Sequence, residues 1–262
     1  GSELPATEVF SKAKAAANKA VEIDDRLAEG YVALGFISMW YDWDRSASEN
    51  HLKRALELNA NSADAHLAYG IMLSNMGRRA EGLVELQRAI DLDPLNLRNH
   101  AVESQYLNFA GQTDEALAGL HKTLEMEPNF YVAHLFASSA YTEKGMFAEA
   151  TAEARTARKL NPVSSLPVAF LGYALAKSGN QSEARALLEG LLRASTERYV
   201  TPYSIALIYN GLGERDETLA WLERGFEQRD LRMTFLKVEP KWNNLRDDPR
   251  YRDLLRQMNL PE

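Results

Sequence analysis

This chain of 262 residues contains no cysteine. Disulfides, thiolate metal sites and cysteine nucleophiles are therefore excluded. The absence fits a reducing compartment, and a cytoplasmic location is expected. No stretch approaches about eighteen consecutive apolar residues, so no segment is expected to cross a bilayer as a helix. The N-terminal run EVFSKAKAAANKAVEID is charged throughout and does not read as a secretory signal. Positive charge is in deficit: 30 Lys plus Arg face 37 Asp plus Glu, a formal charge of −7. Nucleic acid and anionic membranes both select basic surface, so neither is expected as a partner. No HExxH, Walker loop or G-x-S-x-G occurs. Carboxylate pairs such as those in EIDDR sit at helix ends, where they favour the dipole. The chain is not read as an enzyme, and no cofactor or metal is expected.

What the chain does have is a period. Gly77, Gly111, Gly145, Gly179 and Gly213 follow one another at steps of 34 residues. Pro94, Pro128 and Pro162 keep the same step, as do Ala116, Ala150 and Ala184. A fixed period of this size marks a repeat protein. Inside one unit, Leu67, Ala68, Ile71 and Met72 step by three and four, which is helical spacing. Gly77 stands where the chain must reverse, in a conformation that glycine tolerates. Leu83, Leu86, Ala89 and Ile90 form a second amphipathic stretch, ended by Asp93-Pro94. Each unit is thus a helix, a turn and a helix. Gly70, Ala89 and Ala116 are expected where two helices approach closely.

These features resemble the tetratricopeptide repeat. The family's small residue at position 8 of each unit is matched by Gly35, Gly70, Ser104, Ser138, Gly172 and Ala206. Position 27 reads Ala55, Ala89, Thr123, Ala157, Leu191 and Gly225. The resemblance implies an all-α, right-handed superhelical solenoid. Its six units are 28–62 (one residue longer, at YDWDRS), 63–96, 97–130, 131–164, 165–198 and 199–226. A leading helix within 3–27 reads as the second half of a repeat. Gly1-Ser2 is typical of a cloning remnant, so the chain is expected to be a piece of something longer. Residues 227–262 are expected to form capping helices, because the last unit of a stack must hide its open apolar edge. Within them Asp230 and Asp248 are expected to cap helices, with Trp242 and Leu245 laid against that edge and the arginines turned to solvent.

Three details depart from the pattern or tempt a different reading. Glu103 occupies position 7, where the family buries an apolar side chain; a tilted helix with a solvated carboxylate is expected. Gly82 replaces an alanine at position 20, a change expected to weaken its repeat. His66, His100 and His134 recur at position 4. Equivalent residues of successive repeats project in parallel, about 8–10 Å apart. They therefore cannot share a metal, which needs ligands at about 2 Å from one point; aromatic packing is expected of them.

The resemblance also implies a function. Such arrays bind other proteins in a concave groove lined by the first helix of each pair. The matching positions are Val32, Phe36, Met39 and Trp40 in the first unit, and Leu67, Ile71 and Asn75 in the second. Arg98, Gln105, Asn108 and Phe109 follow in the third unit. Leu135, Ser139 and Thr142 belong to the fourth, Tyr173 to the fifth, and Tyr203, Leu207 and Asn210 to the sixth. Relatives that grip a C-terminal carboxylate need a basic cluster here, and only Arg98 and Lys177 are basic. The mixture of aromatic, aliphatic and amide side chains suits an extended peptide or an amphipathic helix. The best match implied is the C-terminal repeat region of large bacterial signalling proteins, which carry winged-helix, serine/threonine kinase or adenylate-cyclase effectors. Homo-oligomerisation through the array is the competing expectation.

Overall fold

The computed structural model describes residues 4–260; the opening Gly1-Ser2 lies outside them. The described residues form helices and turns, without strands. Helix α1 (Ala6–Ile23) leads. Six pairs follow: α2 (Ala28–Ile37) with α3 (Arg45–Leu58), α4 (Ala63–Asn75) with α5 (Arg79–Leu92), and α6 (Leu97–Phe109) with α7 (Thr113–Met126). Next come α8 (Tyr131–Glu143) with α9 (Phe147–Leu160), α10 (Ser165–Lys177) with α11 (Gln181–Ala194), and α12 (Pro202–Leu212) with α13 (Arg215–Glu227). The pairs stack into a right-handed superhelical solenoid.

The two helices of a pair do different jobs. In α10 almost every side chain from Ser165 to Ala176 is buried, whereas in α9 only Ala150, Ala154 and Ala157 are. The first helix of each pair is covered on several sides and lines the inside of the curve. The second presents one narrow stripe of small and leucine side chains inward and a charged face outward. The five periodic glycines have φ between +73° and +88°, the left-handed conformation that turns the chain from the first helix into the second. The periodic prolines sit in the turns after the second helices rather than in the first turn of the next one.

Gly82 corrects the expectation that it weakens its repeat. A Cβ there would lie 2.8 Å from the Gly70 carbonyl oxygen, and would also collide with the Ser74 hydroxyl. The missing methyl is what lets α4 and α5 touch backbone to backbone.

The first pair breaks the pattern. It has no turn glycine. A π-helical turn at Ser38–Asp42 takes up the extra residue, and Trp43 itself adopts φ 56°. An inserted residue of this kind re-aims the side chains after it. Here it turns Trp43 across to the far end of the stack. Its ring stacks on Phe226 of α13 at 5.1 Å, and the Arg229 guanidinium lies 4.1 Å from its centre.

The C-terminal segment departs from the expected cap. Its last helix, α14 (Pro249–Gln257), begins as expected at Asp248, whose carboxylate accepts from the Arg250 N–H. Tyr251, Leu254, Leu255 and Met258 are buried, and α14 packs on α13. The residues before it, however, do not stay at the end of the stack. Two 3-10 turns, Leu231–Phe235 and Pro240–Leu245, run back inside the curve. Both ends of the segment reach the first pair: Asn259 donates to the Trp43 carbonyl at 3.3 Å, and Arg229 donates to that of Tyr41 at 3.1 Å. The inside of a solenoid is its largest concave apolar surface, so it competes with the terminal edge for these side chains and wins.

Candidate partner-binding groove

The first helices place the sequence-predicted groove residues along one concave face, but leave few of them open. Val32, Met39, Leu67, Ile71, Asn75, Gln105, Asn108, Phe109, Leu135, Ser139, Thr142, Tyr173, Tyr203, Leu207 and Asn210 are all buried. Phe36 and Trp40 are half-buried, and Arg98 is exposed with its guanidinium 5.7 Å from the Phe36 ring centre.

Much of that burial is supplied by residues 230–245 of the same chain. The Phe235 ring enters a cage of Trp40, Phe109 and Tyr106, with centroids at 5.1, 6.1 and 6.5 Å. Trp242 meets Tyr203 edge-on at 5.3 Å and is fully buried. The amides make backbone-like contacts. Asn210 donates to the Lys241 carbonyl at 2.7 Å, and Asn244 donates to the Asn210 side-chain oxygen at 2.7 Å. At the start of the segment, the Tyr203 N–H donates to the Asp230 carboxylate at 2.9 Å.

A buried ion pair fixes the register. Lys241 and Glu239 are joined at 2.7 Å, with side chains 1% and 3% exposed. Lys241 also donates to the Ser139 hydroxyl and lies 4.7 Å from the centre of the Phe170 ring. Glu239 accepts from the Trp242 indole at 3.2 Å and from the Tyr203 hydroxyl. Each charge thus has several partners, the condition under which a buried pair is tolerated. Burial pushes the Tyr203 phenol well above its usual range, reinforced by the neighbouring Glu239 charge. Burial likewise raises the phenols of Tyr106 and Tyr173.

The segment fills the middle of the groove and leaves both margins open. At the C-terminal ends of α8, α10 and α12 a polar pocket of about 320 Å³ is lined by Thr142, Glu143, Tyr173, Lys177, Asn210 and the tail residues Pro240, Lys241, Asn243 and Asn244. At the opposite ends of these helices a smaller cleft of about 190 Å³ lies among Tyr131, Val132, Leu135, Leu166, Thr201 and Arg232. A larger cleft, about 440 Å³, lies outside the groove. There Arg246, Arg252 and Arg256, exposed to solvent as expected, rim an apolar floor of Leu236, Tyr251 and Leu255.

The other singled-out residues have local roles. His66 and His134 do not pack as rings; each bridges a Glu on the second helix of its own unit and a carbonyl in the preceding turn. His66 contacts Glu85 and the Ala60 carbonyl, and His134 contacts Glu153 and that of Pro128. His100 keeps only the carbonyl contact, to Pro94 at 2.9 Å. No metal-binding cluster occurs among the described residues. Glu103 is half-buried rather than fully solvated, and desolvation raises its carboxyl pKa.

Sequence reasoning missed Phe235, Glu239 and Lys241, which occupy the groove, and Trp43 and Arg229, which join its two ends. They lie outside the 34-residue phase. The one available signal was the extra residue in YDWDRS beside two tryptophans.

No protein-family model matches this chain, and no curated protein matches it in sequence. Solved structures do match it in shape. The type IV pilus biogenesis factor PilW is 19% identical with a TM-score of 0.60, over 71% of this chain and 86% of that one. The tetratricopeptide-repeat protein TTC0263 of Thermus thermophilus is 22% identical with a TM-score of 0.54, over 74% and 99%. Human IFIT1, in a dimer with PPP-AAAA, is 17% identical with a TM-score of 0.67, over 95% and 59%. By its geometry and these likenesses, the chain has the fold of a tetratricopeptide-repeat solenoid.

Proposed function

We propose that this chain is a protein-interaction scaffold that receives an extended peptide of a partner on its concave face, beside the resident segment 230–245. The observation that carries the reading is the resident segment itself. The groove holds a length of irregular chain through aromatic cages and side-chain amides bonded to backbone, the contacts a peptide ligand would use. Its buried members and Trp40 shape the groove and hold the tail, while Phe36 and Arg98 remain available to a partner. A role as the regulatory repeat region of a larger bacterial signalling protein is a narrower form of this proposal, and rests on the resemblance alone.

The test is selection from a phage-displayed library of random twelve-residue peptides. Selected peptides should bind the protein and lose at least about tenfold, or 1.4 kcal/mol, on Phe36→Ala with Arg98→Ala. Failure to select any peptide, or equal binding by the folded variant, contradicts the reading.

A further inference from the structure

Glu143 and Lys177 hold the same place in adjacent units, at the last turns of α8 and α10. Both line the 320 Å³ pocket beside the tail. Neither side chain has a hydrogen bond or ion pair among the described residues. The third charge in the pocket, Lys241, is already neutralised by Glu239. The pocket therefore presents one free anion and one free cation, set side by side and not joined to each other. Glu143 reaches solvent, yet the surrounding helices hold back enough water to raise its carboxyl pKa, against the opposing pull of Lys241 and Lys177. An arriving cation would relieve that cost.

The spacing selects a ligand. Equivalent positions on neighbouring packed helices lie about 8–10 Å apart. In an extended peptide, residues i and i+2 point to one side and are about 6.6 Å apart, a gap that long side chains can widen. We propose that this pocket reads a basic and an acidic residue two apart in an extended partner peptide, the basic one meeting Glu143 and the acidic one Lys177. The inference rests on the groove reading above and names the charge pattern of its ligand. Two like charges would leave one of the free groups facing its own sign, and a neutral peptide would leave both unpaired.

The test uses ¹⁵N-labelled protein and three nine-residue Gly/Ser peptides carrying Lys-x-Glu, Lys-x-Lys or Glu-x-Glu. Lys-x-Glu should shift the side-chain amide signals of Asn243 and Asn244 and bind about tenfold tighter than either like-charged peptide. Glu143→Lys should move the preference to Glu-x-Glu, and Lys177→Glu should move it to Lys-x-Lys. Both positions are exposed, so both variants retain the fold. Absence of shifts with all three peptides overturns the inference, as does a preference that stays fixed across the variants. Library-selected peptides that depend on Phe36 and Arg98 but ignore Glu143 and Lys177 would sink this inference and leave the groove reading standing. Dependence on neither pair would sink both.

Discussion

The middle of the molecule and its two ends are built on opposite principles. From α4 to α13 each pair repeats one local solution: a left-handed glycine at the turn, a narrow buried stripe on the second helix and a charged outer face. The ends, Ser38–Arg45 and 229–260, repeat nothing and satisfy each other over long range. Trp43 stacks on Phe226, Phe235 enters a cage of Trp40, Tyr106 and Phe109, and Arg45 is half-buried with its pKa lowered to about 10 by desolvation. Arg45 donates to the Met258 carbonyl at 3.5 Å. A periodic array can lose a local contact and keep its neighbours. The aperiodic ends share one interior, so their failures should be larger and should spread.

The largest expected effect follows from removing the tail. Ending the chain after Gln228 uncovers the concave face and deletes Met233, Phe235, Leu236, Trp242 and Leu245, all buried. At about 1.5–3 kcal/mol per large apolar side chain, the loss is comparable with the whole stability of an ordinary domain, about 5–15 kcal/mol. Aggregation or a melting temperature lower by tens of degrees is expected in a thermal melt. An unchanged melt would show that the tail is not part of the core.

A second comparison sets one ion pair of each region side by side. Lys241→Ala strands Glu239 in the interior and should cost about 3–5 kcal/mol in denaturant unfolding. Arg155→Ala breaks an outer-face pair with Glu183, with side chains 52% and 37% exposed, and should cost under about 1 kcal/mol. Equal costs would erase the distinction between the regions.

This contrast also explains what could be read in the sequence. The helix pairs, their glycine turns and the cap residues Asp230 and Asp248 were legible because each depends on residues close in the chain. The groove face was legible too, since helical spacing puts Leu67, Ile71 and Asn75 on one side. Its occupant was not. Phe235 and Trp40 are far apart in sequence, and nothing local says that a terminal segment will prefer the inside of a curve to its edge. Glu239 and Lys241 read as surface charges until Ser139, Phe170 and Tyr203 surround them. His66 and His134 misled for a related reason. Their position in the repeat suggested a ring, whereas their polar partners, Glu85 and Glu153, come from the second helix of the same unit.

Two glycines sharpen the account within the regular part. Gly82→Ala forces a methyl against Gly70 and Ser74 and should destabilise by about 1–3 kcal/mol. Gly190→Ala, in α11, meets nothing within 4 Å and should stabilise by up to about 1 kcal/mol through helix propensity. Opposite signs in denaturant unfolding are the expected outcome.

The smallest effect is one of pH. The Glu153 contact, helped by the Pro128 carbonyl, raises the His134 pKa above its ordinary 6.5. The folded state therefore binds the proton more tightly than the unfolded chain does. That stabilisation is fully present below about pH 6.5 and is lost as pH rises through the raised value. Glu153→Gln should flatten this dependence, and an NMR titration of His134 should show its midpoint fall.

The central claim, that the chain's own tail occupies its groove, is tested most directly by nuclear Overhauser contacts from the Phe235 ring in protein with selectively labelled aromatic residues. The account predicts cross-peaks from Phe235 to Trp40, Phe109 and Tyr106, whose ring centres lie 5.1–6.5 Å away. A Phe235 ring that contacts only its neighbours in the tail would contradict it.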